Sequence, residues 1–471
     1  MVFPDNRLRS KGFCMSHHIS KQSVLFKGLS KKAVIAKFDQ DHASSDGGAV
    51  LLKACDEKLQ LSVALAACLS DERQQSKVTH SLTELFQQRL FGIACGYADG
   101  NDAARLAEDP VMKLLAGRDP IAGGSLASQP TLSRFENAVR PREMLRLSEA
   151  LADAVIARHK RRKKRVRRIT IDLDPTVDPT HGGQQLTFFN GFYDTACYLP
   201  LAGFLTFDDE VEQYLFCYVL RAGNAAAKHG AIGVLKRLLP RLRRAFPKAR
   251  LRIRLDGGFS GPELYEFFEA NKLDYVVGMA KNPKLEALAE PLMDEVRAEF
   301  EAGQEATRRY GEFDYRARSW PHPRRVIVKA EVTTHFGRKP KDNPRFLITN
   351  LTTTPRHVYE RAYCARGDAE NRLKELKHGL EIDRTSCTSF LANQFRVLIT
   401  AAAYVLMQEL RLKARWTGCA RAQVSTLRLR LLKLGAWIES SVRRIVIHLP
   451  LGTPFADDWR RIARSVGAVV T

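Results

Sequence analysis

The sequence predicts an α/β fold built on a mixed sheet, with a helical region ahead of it and a β-rich insertion within it. Three observations carry that expectation. Residues 169–280 alternate short apolar strands with helices, the rhythm of an α/β domain. Residues 48–160 place apolar side chains at helical spacing instead. After residue 280 the rhythm breaks into strand-like runs at 324–336 and 346–350, divided by Pro-rich loops.

Residues 1–40 are basic and weakly patterned, and read as a loose arm. Helices are expected at 82–97 and 142–156. Between them lies SQPTLSRFENAV. Ser128 can cap, Pro130 can take an early helix position, and Ser133 with Glu136 fits a capping box. The segment is a plain helix start or the second helix of a helix-turn-helix. The run RHKRRKKRVRR (158–168) is a solvated charge cluster or a contact to a phosphate backbone. It leads into RITIDLD, where Ile169, Ile171 and Leu173 alternate with Thr170, Asp172 and Asp174. Further strands are TFFNGFYD, CYLPLAGFLTF, LFCYVL, LRIRLD and DYVVGMA, with a helix interrupted at Pro240 and another at PELYEFFEANK. A long charged helix covers 285–303, a strong one 389–412, a basic one 427–434, and RIVIHL is a short strand near the end.

Composition narrows the function. The 471 residues carry 75 Lys and Arg against 52 Asp and Glu, a net charge of +23. Such a field favours a polyanion, and nucleic acid is the commonest. Nine cysteines stand singly with no Cys-x-x-Cys pair, which supports no zinc ribbon and suits a reducing cytosol. The longest apolar run, 399–407, falls short of the roughly 20 residues a membrane span needs, so no membrane association is expected.

The segment around residue 370 is the most specific. On a continuous α-helix Tyr363, Arg366, Glu370 and Lys377 fall at roughly 0°, 300°, 340° and 320°, one arc of about 60°. An apolar stripe of Ala362, Ala365, Ala369, Leu373, Leu376 and Leu380 lies beside it. Asp368, Asn371, Arg372, Glu375 and His378 are left for the water face. A helix that only packs has no need of a face presenting one carboxylate among two cations and a phenol. Asp174 and Asp256 end strands, so they can converge with Glu370 on a packed helix. Three such carboxylates repel unless a cation sits among them, and hard oxygen ligands suit Mg²⁺ or Mn²⁺. Two ions about 4 Å apart would drive phosphodiester displacement, while Arg366 and Lys377 hold the phosphate. Tyr363 could pack on a sugar or base, or hydrogen-bond a phosphate.

Tyr363, Arg366, Glu370 and Lys377 match the Y-R-E-K signature, and the chain resembles the bacterial insertion-sequence DDE transposases. IDLDPTVDPTHGGQQ, YDTACYLP (193–200) and LDGGF further resemble the insertion-sequence 1380 family within them, over about residues 38–411. The resemblance implies a ribonuclease H-like core with a β-rich insertion between the second Asp and the Glu. It implies Asp174, Asp256 and Glu370 as the catalytic, metal-binding triad, with Asp172 the alternative to Asp174 and Asp178 further along in a turn. Tyr363, Arg366 and Lys377 would contact DNA phosphates. The implied division is 1–160, helical end recognition; 161–282, first part of the core; 283–355, the insertion; 356–415, second part of the core; and 416–471, a basic C-terminal region. The implied activity is cleavage at terminal inverted repeats and joining of the freed 3′-hydroxyl to target DNA, by a dimer in a prokaryotic cytoplasm at the nucleoid. Some relatives form a hairpin at the transposon end, for which Trp320 is a candidate member of a flipped-base pocket or simply a packed core residue. A catalytically inactive DNA-binding protein and a nuclease without strand transfer are the competing readings.

Overall fold

The computed structural model describes residues 23–162, 165–303, 307–334, 337 and 339–469. Its centre is one mixed sheet. The main strands are β1 (Arg168–Pro175), β2 (Leu201–Phe207), β3 (Tyr214–Val219), β4 (Arg250–Leu255), β5 (Asp274–Met279), β6 (Arg308–Tyr315), β7 (Arg324–Thr333) and β8 (Arg345–Thr349). They run in the order β6-β7-β8-β5-β4-β1-β2-β3, with Lys341–Asp342 added to β7. β4 pairs in parallel with both β1 and β5; the other pairs are antiparallel.

β1 is central, so both of its faces are covered. Ile169, Ile171 and Leu173 are buried, and so are Thr170, Asp172 and Asp174. The acidic face expected from the alternation is therefore lodged inside the protein. The β-rich segment after residue 303, expected as an insertion, is built onto the sheet itself. Its strands continue the same sheet, because β8 pairs along the edge of β5 from Met279↔Phe346 to Val276↔Thr349.

The principal helices are α1 (Leu82–Ala94), α2 (Gln129–Asn137), α3 (Pro141–Arg162), α4 (Ala231–Ala245), α5 (Pro262–Ala270), α6 (Pro283–Gly303), α7 (Gly367–Leu380) and α8 (Phe390–Lys413). Pro240 lies inside α4 without ending it. It sits on the exposed face, as does Lys236, whose carbonyl loses its helical partner there. α8 is long and apolar enough to cross a membrane by length and composition, yet 89% of its apolar window is buried within the protein. It is the core helix. Phe135 of α2 meets Phe395 of α8 edge-on at 5.2 Å, and Gln394 of α8 bonds Leu220 N at 2.7 Å beside β3. The N-terminal helices thus share one apolar core with the sheet.

Several local expectations change. Ser133 and Glu136 fall inside α2 and make no capping box; Glu136 is buried against Arg89 at 2.7 Å. A capping box does occur, at Ser81 and Glu84. In the basic run, Arg158 is buried 3.8 Å from Glu409, Arg162 pairs with Glu210, and Arg168 pairs with Asp209 at 2.5 Å. Lys160, Arg161, Arg165 and Arg167 are exposed; residues 163 and 164 lie outside the described residues, as does Phe336. The C-terminal segment returns to the N-terminal one: Ala436–Ser440 pairs with Ala43–Ser44. Gly48 permits that closure, since a Cβ there would lie 1.8 Å from the Leu431 carbonyl oxygen.

Glu375 and Arg372 leave the water face for an ion network. Glu375 is buried and accepts from Tyr404 Oη at 2.8 Å, Val424 N at 2.7 Å, Arg372 at 3.1 Å and also Arg411. Arg372 and Arg411 both reach Glu212 as well, at 3.3 and 3.2 Å. α7 is therefore clamped onto α8 by charge where the sequence offers only a polar position. Removing one member strands buried charges, at about 3–5 kcal/mol. Glu375→Ala should lower unfolding stability by that amount in urea titration. A loss under 1 kcal/mol would contradict the clamp.

Candidate active site

The parallel strands β1 and β4 deliver their carboxyl ends side by side, with Arg254 opposite Asp172 in register. Two residues beyond that pair along each strand stand Asp174 and Asp256. Asp256 follows β4 and caps the turn Gly257–Phe259, its Oδ1 accepting from Gly258 N at 2.9 Å. The turn-forming role common for a strand-end Asp is real here, and it fixes the carboxylate's direction. Its other oxygen, Oδ2, faces Arg366.

Glu370 arrives on α7, but not along the continuous α-helix that the wheel assumes. Pro355–His357 is one α-turn, Val358–Tyr363 is a π-helix, Cys364–Arg366 is a 3₁₀ turn, and α7 begins at Gly367. These changes of pitch alter the phase between Tyr363 and Glu370. Such irregular turns recur at functional sites. Within this stretch Arg366 and Glu370 still face one way, with Nη1 of Arg366 3.3 Å from Glu370 Oε1.

Arg366 joins the three carboxylates. Its Nη2 donates to Asp174 Oδ1 at 3.0 Å and to Asp256 Oδ2 at 3.3 Å. Asp174 is buried, Asp256 half-buried and Glu370 exposed. Burial pushes the Asp174 carboxyl up to about 6, against the lowering influence of Arg366; the charges of Asp256 and Glu370 push it further up. One guanidinium thus leaves the cluster short of positive charge. Three hard oxygen donors with a charge deficit fit a divalent ion. In the present arrangement the guanidinium lies among them, and no three or more His, Cys, Asp or Glu side chains among the described residues converge tightly enough to hold an ion.

Asp172 has a different position. Arg254 binds both of its oxygens, at 2.6 and 2.8 Å, and also donates to the Ala362 carbonyl at 3.1 Å. Its carboxylate is spent on tying β1, β4 and the π-helix together. Lys377 donates to the Val177 carbonyl at 2.5 Å, holding the segment just beyond Asp174. Tyr363 is half-buried; burial pushes its phenol up, with Asp256 adding to the effect. A Cβ on Gly278 would lie 2.7 Å from the Tyr363 hydroxyl and 2.8 Å from Gly257 N, so β5 needs glycine where the acid-bearing turn and the π-helix meet. Trp320 is a packed core residue, edge-on to Tyr265 and Tyr315 at 5.5 Å each, and lies outside the cluster.

Sequence reasoning missed Arg254 and Gly278. The signal for Arg254 was the alternation in LRIRLD, which sets Arg252 and Arg254 on one side of a strand beside RITIDLD. Nothing in the sequence marked Gly278. Asp178, expected in a turn, lies in the short strand Asp178–Pro179 and pairs opposite Tyr198.

The family model for the transposase DDE domain group 1 matches residues 26–469, and the chain belongs to that family. No curated protein matches it.

Asp178 supplies a pH test of the scaffold beside the cluster. Burial raises its carboxyl to about 8, despite the Thr385 hydroxyl that donates to it at 3.0 Å. In the folded chain it is protonated at neutral pH; in the unfolded chain it ionises near 4. The folded state therefore binds the extra proton, and this group's contribution to stability declines as pH rises from about 4 to 8. Asp178→Asn mimics the protonated form. Its gain in urea midpoint over the parent should grow between pH 5 and pH 8. A gain that does not vary with pH would contradict a raised carboxyl.

Proposed function

We propose that this transposase-family chain binds the terminal inverted repeats of an insertion sequence, cleaves DNA there and joins the freed 3′-hydroxyl ends to target DNA. The observation that carries the reading is the meeting of Asp174, Asp256 and Glu370 around Arg366. These side chains come from segments far apart in the chain, and packing alone does not call for three acids at one point. The order β3-β2-β1-β4-β5, with β1, β4 and β5 parallel, supports a ribonuclease H-like core. IDLDPTVDPTHGGQQ, YDTACYLP and LDGGF support the insertion-sequence 1380 family.

DDE transposases generally use divalent metals, and Asp174, Asp256 and Glu370 would hold Mg²⁺ or Mn²⁺ here. When bound, two such ions supply an activated attacking oxygen and a stabilised leaving oxygen. The chain's own residues do the rest. Asp256 is aimed by the Gly258 amide. Glu370, the most exposed of the three, can adjust as DNA enters. Arg366 turns from the carboxylates toward a phosphate, the Tyr363 hydroxyl hydrogen-bonds a phosphate from its place beside Gly278, and Lys377 keeps the backbone after Asp174 in place. In hydrolysis a water oxygen bonds to phosphorus, the DNA 3′-oxygen leaves and takes up a proton. In joining, that 3′-hydroxyl attacks a target phosphorus and displaces the target's own 3′-oxygen, so one phosphodiester replaces another. The net charge of +23 suits double-stranded DNA at both steps. A homodimer on DNA, in a prokaryotic cytoplasm at the nucleoid, completes the reading.

Glu370→Gln tests it with binding and cleavage measured separately on DNA carrying the element ends. Binding should hold within about twofold, since phosphate contacts supply most of the affinity. Cleavage and joining should fall by about a thousandfold, matching the several kcal/mol of charge stabilisation at a metal site, and a chelator should abolish both in the parent. Retained turnover in excess chelator would falsify the metal-dependent reading. Cleavage without any joined product would assign the chain to nucleases.

A further inference from the structure

A second feature borders the acidic cluster. Beyond Asp174 the chain forms a small three-stranded sheet, Asp178–Pro179, Thr195–Tyr198 and Phe188–Asn190. Asp178 pairs with Tyr198 and Asn190 with Thr195. The sheet therefore projects from the carboxyl end of β1, four positions after Asp174. Its tip is Gly191-Phe192-Tyr193-Asp194.

That tip is rigidly made and yet uncovered. The Asn190 side chain accepts from Phe192 N at 3.1 Å and donates to the Gly223 carbonyl at 2.8 Å. The back of the hairpin sits on Gly223, where a Cβ would lie 2.1 Å from the Cys197 carbonyl oxygen and 2.7 Å from that of Phe188. Nevertheless Phe189 is 66% and Phe192 88% exposed, with Leu186 and Phe188 about half so. An exposed cluster of large apolar side chains in one short segment marks a contact surface. Phe192 stands edge-on to Tyr193 at 4.8 Å and 85°. Tyr193 lies within electrostatic reach of the acids: after burial, the charges of Asp174 and Asp256 are the next causes that raise its phenol.

We propose that Phe189, Phe192 and Tyr193 form a stacking platform for unpaired bases of the DNA strand whose phosphate lies at Asp174, Asp256 and Glu370. The inference rests on the DNA-processing reading above. Its occupant follows from place and chemistry. A protein partner seated on Phe192 and Tyr193 would close the acids to DNA. Flat rings beside a phosphate-cutting site suit nucleobases, since every base offers a face to stack irrespective of sequence. A rigid hairpin loses little freedom on contact, so stacking there also holds the strand in register with the carboxylates.

The test uses the full chain with forked DNA duplexes and EDTA, so that no turnover occurs. One fork carries a single-stranded oligothymidine arm, the other an abasic arm of the same length and charge. The parent should bind the base-bearing fork about tenfold more tightly, the scale of stacking one to two bases. Phe192→Ala should erase that preference while leaving affinity for the abasic fork unchanged. Phe192→Trp should keep it, and Phe192→Leu, apolar but not aromatic, should lose it. Phe192 is so exposed that none of these changes threatens folding. Equal affinity of the parent for both forks overturns the platform and leaves the transposase reading intact. Failure to bind either fork overturns both. A change of oligomeric mass in Phe192→Ala, with base preference retained, overturns the platform and gives the face to a second copy of the chain.

Discussion

One guanidinium shared by three carboxylates organises this molecule. Arg366 reaches Asp174 from β1, Asp256 after β4 and Glu370 on α7. Like charges do not gather unless something holds them, and here the holding is done in layers. Parallel pairing of β1 with β4 sets the two aspartates side by side. The buried Asp172–Arg254 pair locks that register from beneath and binds the Ala362 carbonyl of the π-helix. The irregular turns before Gly367 then bring the glutamate round to the same point. Burial is the first cause of the raised carboxyl of Asp174, and the charges of Asp256 and Glu370 add to it against the lowering influence of Arg366.

The rest of the fold serves that point by rigidity. α8 is almost wholly buried and gathers N-terminal helices, the sheet and the C-terminal segment into one core. α7 is held to α8 through Glu375, Tyr404, Arg372 and Arg411. The β-rich segment between Asp256 and Glu370 lengthens the sheet at the β5 edge, so the long interval between the two acids is taken up by strands that brace the π-helix. At Gly278 the acid-bearing turn and the π-helix meet β5 so closely that a Cβ would lie 2.7 Å from the Tyr363 hydroxyl.

Much of this was legible in the sequence, and the limits have physical reasons. The strands RITIDLD, LRIRLD and DYVVGMA, the break after residue 280 and the long helix 389–412 all stand close to where their periodicities put them. The three acids could be picked out because strand-end aspartates and a helix face with one carboxylate among cations are unusual. Three things could not be read. A helical wheel assumes a constant pitch, and the π-helix and 3₁₀ turn before Gly367 break it. Glu375 and Arg158 look like surface charges until their partners, Arg411 and Glu409, are supplied from distant segments. The hairpin with Phe192 reads as another strand of the main sheet, because local alternation does not say which sheet a strand joins. SLTE at 81–84 carries the same capping-box pattern as Ser133 with Glu136, and the structure forms the box only at Ser81 and Glu84 of the two.

The central claim is that Asp174, Asp256 and Glu370 together hold divalent metal when the chain works on DNA. Iron-directed self-cleavage tests this most directly: Fe²⁺ replaces Mg²⁺ on the DNA-bound chain, and ascorbate with peroxide cuts the polypeptide wherever the ion sits. The account predicts backbone cuts clustered near residues 174, 256 and 370 at once, suppressed by excess Mg²⁺ and absent in Asp174→Asn. Cuts confined to one of those segments, or falling elsewhere in the chain, would contradict it.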